Sequence, residues 1–221
     1  MRGLGKIALL IVLAHVQAAL AQDSAPGSAS GLVPMPNASA RLAKIRPGAD
    51  WSKFRTVEIG TLQIPLEVRD AKPAGVTRQF RESYVLRDQD VAKLQDLYAT
   101  SMREQLSKAG YRVVTAAGPD TLIIAAQITK IRLAAPIESS RGSYAGRGYT
   151  LTKSAGYMMI AAALADGGTG QVLAQVADQN YPASVWGINN SVTNIAEARR
   201  AFNRWASNLS DRLRTLRGNT N

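Results

Sequence analysis

The sequence predicts an α+β domain: a mainly antiparallel sheet of about five strands with two amphipathic helices packed on one face, in the order β-α-β-β-β-β-α. Three observations carry this prediction. Residues 88–109 and 195–216 repeat apolar side chains at three- and four-residue steps, as helices covering a core must. Short apolar or alternating runs at 56–68, 111–115, 122–133, 157–165 and 171–177 are bounded by Gly, Pro and Asp. Asp166-Gly167-Gly168-Thr169-Gly170 joins the last two runs, its glycines supplying the positive φ angles of a hairpin turn.

The chain opens with the parts of a cleavable export signal. Arg2 and Lys6 precede an apolar stretch from Ile7 to Val16, and Ala19-Leu20-Ala21 gives a small-x-small cleavage pattern before Gln22. That stretch is well short of the roughly 20 residues a membrane-spanning helix needs. Residues 22–41, rich in Ser, Ala, Gly and Pro, read as a disordered linker. The domain is expected over 42–217, with 218–221 as a tail. Arg46-Pro47-Gly48-Ala49-Asp50 is turn chemistry, with Trp51 and Phe54 as apolar anchors beside it.

In the run at 56–68, Val57, Ile59 and Thr61 alternate with Glu58 and Gly60, and Pro65 marks an edge or a bulge. Residues 69–87 read as a loop. In the first helix Val91, Leu94, Tyr98, Met102 and Leu106 form one stripe, with Asp88 as the expected N-cap and Gly110 as the stop. Leu122 to Leu133 has apolar residues on both faces of its first half, as a strand buried on both sides would. The strand at 171–177 is expected to run on through Asn180. In the last helix Ala198, Phe202, Trp205, Leu209, Leu213 and Leu216 form the buried stripe, and Asn194 with Glu197 resembles a capping box. The alanines of Met159 to Ala163 are expected to let a helix approach closely.

Composition excludes more than it assigns. The 221 residues hold 27 Lys and Arg against 16 Asp and Glu, a formal charge of +11. Cleavage after Ala21 removes Arg2 and Lys6 and no acid, which leaves about +9. The basic residues are dispersed, so they read as a solvated surface with a non-specific attraction to anionic polysaccharide or lipid headgroups. The chain has no Cys, and its one His, His15, lies within the signal. The exported product therefore lacks the usual neutral-pH base, thiolate nucleophile and common zinc ligands. Ser-His-Asp and Cys-His hydrolases are excluded, and neither a metal nor an organic cofactor is expected.

From Arg46 onward the chain resembles a bacterial family known as domain of unknown function 3313. The residues that carry the resemblance are Arg46 to Asp50, Ala109-Gly110-Tyr111-Arg112-Val113-Val114, Gly118-Pro119-Asp120-Thr121-Leu122 and the hairpin from Asp166 to Asp178. The end is the most specific part: Asn190-Ser191-Val192-Thr193-Asn194, Glu197-Ala198-Arg199-Arg200 and Arg204-Trp205-Ala206. The match spans roughly residues 42–217. It implies an exported, envelope-associated protein with no established activity. Many members carry a lipobox cysteine that this sequence lacks, so a periplasmic or secreted product without a lipid anchor is expected. The topology is also similar to that of small periplasmic modules that bind proteins, such as the N-terminal domain of the Tol-system propeller protein and outer-membrane activators of peptidoglycan synthases.

Two loops remain as candidate surfaces. Ser139 to Tyr149 mixes Arg, Gly and Tyr, and Arg141, Tyr144, Arg147 and Tyr149 are the residues expected to meet a protein or glycan partner. Export argues against nucleic acid as that partner. Trp186 to Ser191 reads as an anchored loop before the last helix. Lys153-Ser154 lacks the geometry of a catalytic pair, and Thr152 stands where a phosphate-binding loop needs glycine. The acids Asp88, Asp120, Asp166 and Glu197 have adequate explanations as caps, turns or solvent faces. The sequence thus points to a non-enzymatic envelope protein acting through protein contacts. A binder of anionic polymers is the second reading, and a hydrolase using carboxylates or Ser/Lys the third.

Overall fold

The two amphipathic stripes and the runs between them assemble in a computed structural model that describes residues 31–35, 40–72, 84–134, 137, 150–152, 156–180, 187–189 and 191–218. The elements are β1 (Val33–Pro34), β2 (Leu42–Ile45), β3 (Thr56–Ile59), a 3-10 turn (Leu66–Val68), α1 (Asp88–Lys108), β4 (Arg112–Val114) and β5 (Thr121–Arg132). They continue with β6 (Thr150–Thr152), β7 (Tyr157–Asp166), β8 (Val172–Asn180), β9 (Gly187–Asn189) and α2 (Ser191–Gly218).

The sheet has seven strands in the order β1-β2-β8-β7-β5-β3-β4, and β6 pairs separately with β9. This corrects the expected five-stranded, mainly antiparallel sheet. β3 runs parallel to both β4 and β5, so the sheet is mixed. The cause is α1, a crossover that returns the chain beside β3 in the same direction, which a tight turn cannot do. β1 and β2 extend the other side, with Leu42–Ile45 antiparallel to β8 and Val33–Pro34 antiparallel to β2. β1 falls within the segment read as a spacer. Both strands are too short for their alternation to register in the sequence.

One face of the sheet carries both helices. Leu122, Ile124, Ala126 and Ile128 of β5 join the α1 stripe of Val91, Leu94, Tyr98, Met102 and Leu106 in one core, with Ala198, Phe202, Trp205 and Leu213 of α2. The rings of Tyr98 and Phe202 meet edge-on with centroids 5.8 Å apart. Ile123 and Ala125 lie in a smaller cluster on the opposite face with Ala161, Ala163 and Ala165 of β7. Of the β7 alanines expected to admit a helix, Ala161 and Ala163 therefore face away from it, and Ala162 faces it. The helix-facing residues of β7 are Met158, Ile160, Ala162 and Leu164. A register shift between Ile128 and Lys130 then returns Ile131 to the helix face, opposite Met158.

Two caps differ from expectation. α1 is capped by Arg87, whose N–H donates to Asp90 Oδ2 at 3.0 Å, so Asp90 and not Asp88 closes the first turn. α2 begins at Ser191, a turn earlier than a cap at Asn194 requires. Glu197 instead pairs with Arg200 along the helix. Gly110 does end α1, at φ +85°, and Tyr111 N–H donates back to the Leu106 carbonyl at 3.0 Å.

Candidate binding cavity

Strand direction divides the sheet into two ends with different contents. At one end lie the start of β3, the start of β5 and the β7–β8 hairpin. Arg55 and Thr56 N–H both donate to the Asp120 carbonyl, and the Thr56 and Thr121 hydroxyls are 2.7 Å apart. Gly167 N–H donates to the Thr121 carbonyl at 2.8 Å. A Cβ at Gly167 would lie 2.8 Å from the carbonyls of Gly118 and Thr121, so this contact requires glycine. Asp166 accepts from Lys53 Nζ and from the N–H groups of Gly168 and Thr169, and Arg46 Nε donates to the Val172 carbonyl. Burial pushes the Asp166 carboxyl up, but Lys53 and the two backbone donors outweigh it and hold the group below its ordinary value. Most motifs that carried the family resemblance meet here, and each has a structural task.

The opposite end holds a cavity of about 320 Å³. The first two turns of α1 and of α2 form two of its walls, because both helices begin at this end. Buried Leu94, Ile131, Met158 and Ala198 give it an apolar floor. Asn180, on the last residue of β8, lines it while only 8% exposed. Four charged residues complete the walls: Asp90, Lys93, Arg132 and Glu197. Three of them have structural bonds. Asp90 holds the Arg87 N–H, Glu197 pairs with Arg200, and Arg132 Nη1 donates to the Asp70 carbonyl at 3.1 Å. Lys93 is exposed and makes no ion pair among the described residues.

The proposed contact residues Arg141, Tyr144, Arg147 and Tyr149 lie outside the described residues, as do Lys153, Ser154, Trp186 and Asn190. The stems of the Arg/Gly/Tyr loop are described. Arg132, Leu133 and Ile137 on one side, and Gly156 and Tyr157 on the other, line the cavity. The two loops singled out in the sequence are also joined through the backbone. Thr150–Thr152 pairs antiparallel with Gly187–Asn189. From the helical family motif, Asn194, Glu197 and Ala198 reach the same cavity. Sequence reasoning passed over Asn180, Asp90 and Lys93. Strand parity was the available signal for Asn180, which shares the helix-facing side of β8 with Val176 and Asp178.

The groups with shifted acidity lie elsewhere. Burial raises Glu58 on β3, partly offset by a hydrogen bond from the Ala117 N–H, and burial raises Tyr98 between the helices. Among the described residues no group of three or more His, Cys, Asp or Glu could hold a metal ion. No described helix is long and apolar enough to cross a membrane. The arrangement is that of a small α+β domain with an amphipathic cleft.

Residues 21–209 match the family described as "Protein of unknown function (DUF3313)", and the chain belongs to that family. No protein of curated function matches it. Among solved structures it is similar to the PelC dodecamer from Paraburkholderia phytofirmans, at 12% identity and a TM-score of 0.40, over 76% of this chain and 96% of that one. It is also similar to protein XCC0632 from Xanthomonas campestris, at 11% identity and a TM-score of 0.39, over 70% and 81% of the two chains.

Proposed function

We propose that the protein is an exported, non-enzymatic component of the bacterial cell envelope that acts through protein contacts made at the cavity end of the domain. The observation that carries this reading is the composition of the cavity. Its floor is apolar, Ile195 stands 36% exposed at its rim, and its acids are held in structural bonds. An enzyme using two carboxylates needs acids free to exchange protons with a substrate, whereas a docking site needs an apolar pocket with a polar rim. The N-terminal export signal and the loss of His15 with it support the compartment and the non-catalytic reading.

The charge of about +9 left after signal cleavage favours the second reading, attraction to anionic envelope polymers or lipid headgroups. Ionic strength separates the two, because exposed charges are screened within about 8 Å at physiological salt and less at higher salt. Crosslinking in the intact envelope, with identification of the captured proteins, is the test. A reproducible partner retained in 1 M salt, on the order of a 3 Å screening length, is the expected outcome. Loss of all capture at that salt would replace the protein-contact reading with the polymer one.

A further inference from the structure

We infer that the cavity between the two helix starts receives the C-terminal residue of a partner polypeptide, with a large apolar side chain on the floor and the terminal carboxylate toward Lys93. The inference rests on the protein-contact reading and names the partner's chemistry.

Three independent features converge on it. The first is the floor of Leu94, Ile131, Met158 and Ala198 in a space of about 320 Å³, room for one aromatic or long aliphatic side chain. The second is Asn180. It is 8% exposed, lines the cavity and makes no side-chain hydrogen bond among the described residues. An Asn amide offers one acceptor and two donors, the complement of a peptide group or carboxylate.

The third is charge. Asp90 is held by the Arg87 N–H and Glu197 by Arg200, whereas the Arg132 guanidinium donates to backbone carbonyls and the exposed Lys93 ammonium makes no ion pair among the described residues. The positive ends of two helix dipoles add to it. α1 has Asp88 and Asp90 in its first turn, whereas the first turn of α2 has no acid. An apolar group with an anion at one end, flanked by a group that bonds to Asn180, satisfies all three. A chain terminus supplies that combination.

The test titrates N-acetyl-Ala-Ala-Phe, with a free carboxylate, into the ¹⁵N-labelled protein. Its C-terminal amide and dodecanoate are run in parallel. The expected result is saturable shifts of the Asn180 side-chain amide and the backbone amides of Leu94 and Ala198. The amide peptide should bind about tenfold more weakly or worse. Lys93→Met should reduce that preference for the acid, the Arg132 charge remaining on the wall, and Asn180→Leu should weaken both peptides while leaving the rest of the spectrum intact. Equal binding of acid and amide would overturn the terminal-carboxylate assignment. Saturable shifts with dodecanoate alone would overturn it in favour of a fatty acid. In either case protein capture by envelope crosslinking would still stand, so failure of the occupant and failure of the protein-contact reading are read separately.

Discussion

Removing the Asp166 carboxylate tests whether the hairpin end of the sheet is held as described. Asp166 is 7% exposed at its side chain and accepts from the Gly168 N–H at 2.8 Å, the Thr169 N–H at 3.2 Å and Lys53 Nζ. Lys53 is 40% exposed, so its share is that of a surface pair, about 0–1 kcal/mol. The backbone donors matter more, since hydrogen bonds to a charged group contribute about 1.5–3 kcal/mol. Asp166→Ala should therefore cost about 2–3 kcal/mol, and Lys53→Met less than half of that. For a domain of this size each kcal/mol moves the melting temperature by about 2–4 °C, so Asp166→Ala should melt roughly 5–10 °C lower. The acidity of Asp166 is depressed in the folded protein. Its contribution is thus complete above the unfolded-state value, about 3.9, and is lost as pH falls through the lower folded-state value. Urea melts of wild type and Asp166→Ala between pH 7 and pH 3 measure this. The gap should be constant from pH 7 to about pH 5 and begin to close near pH 4. An Asp166→Ala protein as stable as wild type, or a gap that widens toward pH 3, would refute the reasoning.

Two further substitutions probe the core and the cavity wall. The Tyr98 hydroxyl is buried and finds no hydrogen-bond partner among the described residues, so Tyr98→Phe should raise the unfolding free energy measured by urea melts by about 1 kcal/mol. A loss of stability would show that the hydroxyl is bonded. Gly156 has φ +76°, and a Cβ there would lie 2.2 Å from the Arg132 carbonyl. Gly156→Ala should cost about 2 kcal/mol or more by circular-dichroism melting, and wild-type stability would contradict the backbone path into β7.

The helices were legible because their stripes are long. All five α1 stripe residues named from periodicity are buried, as are Ala198, Phe202, Trp205 and Leu213 of α2. The β7–β8 hairpin was legible through its glycines, although of the three only Gly170, at φ +73°, takes the expected positive angle. The parallel side of the sheet was not, because nothing in Val57, Ile59 or Arg112 to Val114 tells a strand which neighbour it will meet. That choice follows from the crossover through α1, a tertiary event. The β5 bulge changed parity at Ile131, and a count of alternating residues alone carries no mark of it.

The candidate site was legible in fragments. Two loops and the Asn194/Glu197 motif drew attention separately, and the structure joins the loops through β6 and β9 and brings the loop stems and the motif to one cavity. Asn180 and Lys93 went unnoticed because a polar residue at a strand end and a lysine on a helix are ordinary in sequence. Their meaning comes from burial and from the bonds their neighbours already make.

Site-specific photocrosslinking from the cavity rim tests the central claim most directly. A photoreactive residue replaces Ile195, which is 36% exposed, and a control replaces exposed Thr169 in the hairpin at the other end. The protein is expressed in its own envelope and irradiated in place. A discrete, salt-resistant crosslinked protein from position 195 and none from position 169 is the predicted result. Equal capture from both positions, or none from position 195 while envelope crosslinking elsewhere on the chain succeeds, would contradict it.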